Sequence, residues 1–199
     1  MLITGIKSRP VYAALAADPG GRFHLLVGQG SGGEALLRLL GALPPTSAVG
    51  VIYASESFTG RDLSEALRAT GPADTRVVAT DAEAVAELDR TLAGRVMGTR
   101  LYVAGSESFI GSVVQVAMKY NLNDDEVQRE HCGSAARRVY CVHCRASNEG
   151  VTTNIVRCGG CGRHLLVRDH YSRRLAAYMG VMADAEAPGE LPPVREAFS

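Results

Sequence analysis

The sequence has little that would carry it to nucleic acid or into a membrane by composition alone. Its 21 basic and 21 acidic residues balance, so no overall field draws the chain to a polyanion or an acidic lipid surface. Lysine is almost absent: 19 of the 21 basic residues are arginine. Aromatic residues make up only 6% of the chain, which leaves few rings to stack on bases. No apolar run approaches the roughly 20 residues of a membrane span, so an integral membrane protein is excluded.

A secretory leader and a disulfide framework are not expected either. Arg9 and Pro10 interrupt the N-terminal stretch where the apolar core of a signal peptide would lie. We therefore expect a cytoplasmic location, where five cysteines indicate metal or thiol chemistry rather than disulfides. The length of 199 residues suits one domain with an appendage, or two small domains.

The first two-thirds of the chain alternates between apolar runs and amphipathic stretches. The predicted strands are Phe23–Val27, Ala48–Ala54, Arg76–Thr80, Leu101–Ala104 and, at an edge, Val127–Cys132. Nearly continuous apolar strands separated by helices predict a parallel sheet covered on both faces. We therefore predict an α/β protein with a Rossmann-like, five-stranded parallel sheet over residues 22–135, preceded by an N-terminal segment over residues 1–21.

The strongest local signal is a pair of Cys-x-x-Cys motifs. It consists of Cys141, Cys144, Cys158 and Cys161, with short β-type runs between the pairs. Four thiolates at this spacing predict a tetrahedral zinc ribbon over residues 136–168, with one structural zinc ion. Such a closed site has no open coordination position and is not an active site. Iron in a rubredoxin-like site uses the same ligand set and stays an alternative.

A basic segment follows the cysteines. Residues 137–174 contain eight arginines against two acidic residues, a net charge of +6 in a neutral chain. We predict a C-terminal helix over residues 169–182 and an acidic, flexible tail over residues 183–199. On that helix an apolar strip of Leu175, Tyr178, Met179 and Met182 would adjoin the basic cluster of Arg168, His170, Arg173 and Arg174. An apolar strip beside arginines is typical of a protein interface, so we predict that this cluster contacts a partner subunit.

A glycine-rich turn, Gly28-Gln29-Gly30-Ser31-Gly32-Gly33, follows the first predicted strand and opens a helix. Pyrophosphate commonly binds at such a turn, so Gly28, Gly30 and Gly32 are candidate cofactor-binding residues. Glu34 lies in the first helical turn, where its charge would oppose a phosphate. The alternative is a turn whose glycines serve backbone geometry.

Residues 22–131 resemble the NAD(P)-binding domain of the ferredoxin reductase family. The stretch RFHLLVGQGSGGEALLRLL matches the first motif of that family, and RLYVAGSESFIGSVVQVAMKYNL matches the motif at the fourth strand. Glu34 and Ala35 stand where the family has Thr and Pro, and Ala104 stands where it has the cysteine beside the nicotinamide. The resemblance therefore implies the fold, together with weak or absent NADPH binding by this chain.

The C-terminal part, with VRDHYSRRLAAYMGV after the cysteines, resembles the small DmmA-type subunit of bacterial dimethylamine monooxygenase. The resemblance implies a multi-subunit enzyme that uses NADPH and O2 to convert dimethylamine to methylamine and formaldehyde. It implies flavin, an iron–sulfur centre and iron or haem on an oxygenase subunit and a reductase subunit. This chain would be the zinc-bearing subunit without catalytic residues. A self-contained nucleotide-binding oxidoreductase and a nucleic-acid-binding ribbon protein stay as alternatives.

Overall fold

In the computed structural model, which describes residues 8–55, 61–95 and 97–198, the five predicted strands pair in one parallel sheet. The strands are β1 (Phe23–Gln29), β2 (Ala48–Ala54), β3 (Thr75–Val78), β4 (Thr99–Gly105) and β5 (Val127–His131), in the order β3-β2-β1-β4-β5. Phe23 aligns with Ala48 of β2 and with Thr99 of β4, so the three central strands start level. The predicted α/β class and edge position of β5 are confirmed.

Helices connect consecutive strands. They are α1 (Gly32–Ala42), α2 (Ser64–Thr70), α3 (Asp81–Ala93) and α4 (Glu107–Lys119), and a 3₁₀ turn (Asp124–Glu126) precedes β5. Helix α3 starts with a capping box, in which Thr80 accepts the N–H of Glu83 and the Glu83 carboxylate accepts the N–H of Thr80. Such reciprocal bonds satisfy two backbone donors that a helix start leaves unpaired.

Alternation along the strands divides the apolar side chains between two cores. Leu25 and Val27 of β1 pack in the core that contains Leu88 of α3 and Val113 of α4. Leu26, which lies between them, packs in the core formed with helices α1 and α2. Because successive strand residues point to opposite faces, a strand buried on both faces is a continuous apolar run.

The chain divides into two units, residues 12–133 and residues 134–198 with residues 8–11. The second unit is a five-stranded sheet in the order β7-β6-β10-β9-β8. Its strands are β6 (Arg137–Cys141), β7 (Ser147–Val151), β8 (Ile155–Arg157), β9 (His164–Ser172) and β10 (Ala177–Met182). Strands β6 and β10 are parallel, and the other neighbours are antiparallel.

The predicted helix over residues 169–182 is wrong. This segment is the end of β9, a turn with Ala176 at φ 48°, and strand β10. Strand β10 pairs with β9 on one side and with β6 on the other, and these long-range bonds outweigh local helix preference. At Gly180 a Cβ atom would lie 2.7 Å from Val139 Cγ1, so the close approach of β10 to β6 requires glycine.

The predicted N-terminal segment and the predicted flexible tail both differ from what the structure shows. Residues 1–7 of the predicted N-terminal segment lie outside the described residues. Ser8 pairs with β9, donating its N–H to Asp169 and accepting that of Tyr171, whereas residues 12–18 belong to the first unit. The tail does not end as a free arm, because Ala197 and Phe198 both donate N–H groups to the Thr152 carbonyl.

Candidate metal centre

The four cysteines of the two motifs converge as predicted. Their Sγ atoms all lie within 4.8 Å of one another. The Sγ atoms of Cys141 and Cys161 are 3.8 Å apart, and those of Cys144 and Cys158 are 3.6 Å apart. A tetrahedral ion with metal–sulfur bonds of about 2.3 Å has sulfur–sulfur edges of about 3.8 Å. The cluster therefore fits one four-coordinate metal ion with no open position.

Two equivalent turns position the sulfur atoms, and we name residues 141–146 the first knuckle and residues 158–163 the second. In the first, Arg145 donates its N–H to the Cys141 carbonyl. In the second, Gly162 donates to the Cys158 carbonyl at the same 2.9 Å. The first cysteine of each knuckle also donates its own N–H to a carbonyl five residues later: Cys141 to Ala146, and Cys158 to Arg163. The two halves of the centre therefore share one backbone conformation.

Glycine has two different roles in the second knuckle. Gly162 has φ 72°, in the left-handed region, and its counterpart Arg145 has φ 66° without the advantage of glycine. At Gly160 a Cβ atom would lie 2.8 Å from Ala146 Cβ and 3.0 Å from Cys144 Sγ. Gly160 is therefore needed for close approach of the knuckles rather than for backbone freedom.

Asn148 is a supporting residue that the sequence analysis missed. It is buried, donates its Nδ2–H to the Val139 carbonyl and accepts the N–H of Gly159 at 2.8 Å. Its Nδ2 also lies 3.9 Å from Cys158 Sγ. Asn148 thus connects the β6–β7 hairpin to the second knuckle. An asparagine inside a β-type run, flanked by Ser147 and Glu149, gave no local sign of this role.

The backbone of the second knuckle favours a thiolate. Burial by itself would raise the pKa of the Cys158 thiol. Hydrogen bonds from the backbone N–H groups of Cys161 and Gly160 have the larger combined effect and lower that pKa to about 6. A hydrogen bond from the N–H of Ala146 by itself would lower the pKa of the Cys144 thiol. Burial and the hydrogen bonds with the neighbouring sulfur atoms have the larger combined effect and raise that pKa to about 11. Four adjacent sulfur atoms do not all ionise without a cation, so full deprotonation requires the metal.

The fifth cysteine is separate from this centre. Cys132 follows β5, donates its N–H to the Gly105 carbonyl and packs half-buried against the core beneath α1. Burial raises the pKa of the Cys132 thiol, and a buried thiol with a raised pKa is a poor nucleophile. This environment is that of a structural cysteine rather than of a reactive thiol.

The glycine-rich turn lies at the carboxyl edge of the first sheet, between β1 and α1. At Gly32 a Cβ atom would lie 2.1 Å from the Ala104 carbonyl oxygen, and at Gly28 it would lie 2.6 Å from Leu36 Cδ1. Gly30 has φ 49°. The three candidate cofactor-binding glycines therefore have packing or backbone reasons within the protein.

The turn also uses its own hydrogen-bond donors. Gly30 donates its N–H to Ala54 of β2, Gly33 donates to Gly30, and Glu34 donates to Ser31. Glu34 forms an exposed ion pair with Arg61 at the start of α1. A phosphate at this turn would need those N–H groups and would meet the Glu34 carboxylate, so the residues present do not fit a dinucleotide in the usual manner.

A glutamine spans the adjacent crevice, where the strand order reverses between β1 and β4. Gln29, buried at the end of β1, accepts the N–H of Ser106 at 3.0 Å and donates to the Asp81 carboxylate at 2.7 Å. Dinucleotides bind outside this point in open α/β sheets. The Gln29 side chain connects the starts of α3 and α4 across it.

The structure places the basic cluster on β9 and the following turn. Arg168 and His170 are half-buried on β9, while Arg173 and Arg174 are exposed between β9 and β10. In a helix, Asp169 and Arg173 would lie one turn apart and could form an ion pair. On strand β9 the Asp169 carboxylate instead contacts Arg9 and Arg137. Of the predicted apolar strip, Tyr178 is only 2% exposed and belongs to the core.

The geometry defines a class of protein, in which a Rossmann-like unit is joined to a four-cysteine ribbon. The chain belongs to the family of DmmA-like subunits of dimethylamine monooxygenase. The family model described as "Dimethylamine monooxygenase subunit DmmA-like, N-terminal domain" matches residues 4–127, and the model of the C-terminal domain matches residues 138–181.

A curated relative is the heme-dependent oxidative N-demethylase delta subunit of Ectopseudomonas mendocina (strain ymp). It is 37% identical over 101 residues, which make up 51% of this chain and 58% of the relative. The match therefore covers less than two thirds of the relative's length. The description of the matched family and the name of this relative both refer to a subunit of an oxidative enzyme.

Similar solved structures include the ferredoxin reductase of carbazole 1,9a-dioxygenase, at 14% identity and a TM-score of 0.46 over 59% of this chain and 35% of that chain. The FAD/NAD-binding domain of a Vibrio cholerae nitric oxide dioxygenase has 16% identity and a TM-score of 0.40, over 62% and 56% of the two chains. Because these scores are below 0.5, the fold assignment rests on the strand order and register above. Within the described part of the chain, no helix has the length and apolarity of a membrane span.

Proposed function

We propose that this chain is the zinc-bearing, non-catalytic subunit of a multi-subunit enzyme that oxidises dimethylamine with NADPH and O2. Family membership and the relative's role as a delta subunit support a place in an oxidative N-demethylase complex. The products would be methylamine and formaldehyde. Haem, flavin and an iron–sulfur centre would belong to an oxygenase subunit and a reductase subunit.

The four-sulfur cluster is the observation that carries this proposal. Sulfur–sulfur distances of 3.6 and 3.8 Å suit tetrahedral zinc, and four protein ligands leave no position for a substrate. Zinc supplies folding free energy in such a site, because the small sheet of the second unit encloses few apolar side chains. The role of the metal would thus be to hold strands β6 to β10 together.

A non-catalytic role of the first unit is supported by the glycine-rich turn. The N–H groups of Gly30, Gly33 and Glu34 are used within the protein, and Gln29 bridges the crevice beside the turn. The unit would serve as a scaffold that keeps the reductase fold without its nucleotide. Hydride transfer from NADPH would then occur on the reductase subunit.

Metal analysis and complex recovery test the proposal together. The chain, co-expressed with the other subunits of its complex and purified through its own tag, should contain one zinc per chain and retain those subunits. Cys158→Ala should lose zinc and the other subunits while the first unit stays folded, as measured by hydrogen exchange. Cys132→Ala, the matched control, should keep both.

Two results would contradict the proposal. Iron, or no metal, after anaerobic purification would exclude zinc as the resident ion. NADPH oxidation by the isolated chain would exclude a non-catalytic role and would restore the nucleotide-binding oxidoreductase.

A further inference from the structure

The second unit has an open groove that the metal centre does not use. Its volume is about 360 Å3. Apolar and aromatic side chains line most of it: Tyr140, Val142, Leu175, Ala177, Tyr178 and Met179. Ser8, His170 and Ser172 supply its polar edge. The groove lies across the strands β6, β10 and β9, whose order brings Tyr140 and Met179 together although they are 39 positions apart in the sequence. Ser8 joins the groove through its pairing with β9.

The lining favours an apolar ligand group. Val142 is 42% exposed, although its neighbour Cys141 is fully buried. Apolar surface in contact with water costs free energy that a ligand's apolar side chain would recover on binding. Most protein contacts to a nucleic acid are hydrogen bonds to phosphate and sugar, which the apolar lining of the groove itself does not supply. The groove is therefore suited to a protein segment.

The charge beside the groove selects the kind of segment. Arg173 and Arg174 are exposed and lie between the groove residues Ser172 and Leu175. The Asp169 carboxylate on β9 contacts Arg9 and Arg137. Guanidinium groups bind carboxylates through two parallel hydrogen bonds, and an apolar centre with arginines is common in interfaces. An acidic segment is thus complementary to the rim.

A second copy of this chain does not fit the same surface. A twofold contact through the groove would bring the basic rims of two copies together, and like charges across an interface are costly. The partner must therefore present a different surface from the one described here.

We propose that this groove binds an acidic segment of another subunit of the complex, which inserts one or two apolar side chains between Tyr140, Leu175 and Met179. This proposal rests on the proposed function, since it assumes that the chain assembles with other subunits. It assigns the docking surface to the strands β6, β10 and β9 and to the turn that carries Arg173 and Arg174.

Site-specific photocrosslinking in the assembled complex tests the groove. The photoreactive residue p-benzoylphenylalanine replaces Leu175 in the full chain, which is co-expressed with the other subunits and purified through its tag. Met118, which is 50% exposed on α4 of the first unit, is replaced in the same way as the control. Irradiation should crosslink position 175 to another subunit about tenfold more than position 118.

Mass spectrometry should place the crosslink in a segment with Asp or Glu beside an apolar residue. The crosslink yield should fall severalfold when the salt concentration is raised from about 0.05 to 0.5 M, because exposed charges are then screened. Equal yields at the two positions in an intact complex would overturn the docking surface and leave the proposed function standing. A crosslink to a second copy, to nucleic acid, to a basic segment or to residues 1–7 of the same chain would overturn it equally. Failure of the unmodified chain to retain any other subunit would instead contradict the proposed function.

Discussion

Replacing Gly160 by alanine should weaken metal binding, whereas the same change at the preceding glycine should not. The added Cβ atom at residue 160 would lie 2.8 Å from Ala146 Cβ and 3.0 Å from Cys144 Sγ, so one knuckle must shift away from the other. At Gly159 the nearest atom would be Asn148 Oδ1 at 3.7 Å, an ordinary contact. The two substitutions add the same methyl group to neighbouring positions, which makes them a matched pair.

The cost of overpacking a closely packed site is about 1–3 kcal/mol. If the metal-bound form bears this cost, the dissociation constant for zinc rises by roughly 5- to 150-fold, since 1.4 kcal/mol corresponds to a factor of ten. Gly159→Ala should change the constant by less than about twofold. Competition with a chromophoric chelator measures both variants against the unchanged chain, with circular dichroism to confirm that the first unit is folded. Equal zinc affinities for Gly160→Ala and Gly159→Ala would refute the role assigned to the contact between the knuckles.

Four other predictions follow from named contacts. Arg145→Gly should stabilise the second unit by about 1 kcal/mol, because it relieves a side chain held at φ 66°, while Arg145→Ala should not; equal melting temperatures would contradict this. Burial lowers the pKa of His24, whose Nδ1 lies 2.9 Å from the Tyr102 hydroxyl, below the usual 6.5. The unfolded chain then binds more protons below pH 6.5, so the free energy of unfolding should be intact above that pH and should fall as the pH is lowered, more than in His24→Gln. Calorimetric titration of the isolated chain with NADPH should show no binding in the micromolar range; a micromolar constant, about −8 kcal/mol, would return the glycine-rich turn to the candidate sites. Charge reversal in the double variant Arg173→Glu, Arg174→Glu should reduce recovery of the other subunits, most at low salt, and normal recovery and turnover would leave these arginines as ordinary surface.

Runs of apolar residues in the sequence predicted most of the strands of the first unit. Strand residues such as Leu25, Leu26 and Val27 are all apolar because alternate side chains enter two separate cores, and this run is visible in the sequence. The four metal-site cysteines were equally visible, since Cys-x-x-Cys spacing is a property of a single turn. The supporting Asn148 was not, because its partners Val139 and Gly159 lie 9 and 11 positions away.

The segment after the cysteines shows where local pattern fails. Leu175, Tyr178, Met179 and Met182 recur at helical spacing, but the same residues also fit a short buried strand. What decides between the two is the pairing of β10 with β6, in which Tyr178 aligns with Val139 and Gly180 with Cys141. A pattern of apolar residues does not encode which distant strand is available to pair.

The sequence alone determined the four candidate metal ligands and the alternation of strand and helix in the first unit, because both depend on residues that are neighbours in the chain. Tertiary structure alone decided the contacts of the glycine-rich turn and the conformation of the basic segment. Gly32 is needed because the Ala104 carbonyl, 72 positions away, leaves no space for a Cβ atom, and Gln29 is held by Ser106 and Asp81. Likewise, Asp169 is engaged by Arg9 and Arg137 only because the sheet brings three distant segments together. These contacts depend on the spatial order of the strands, which the order of residues along the chain does not state.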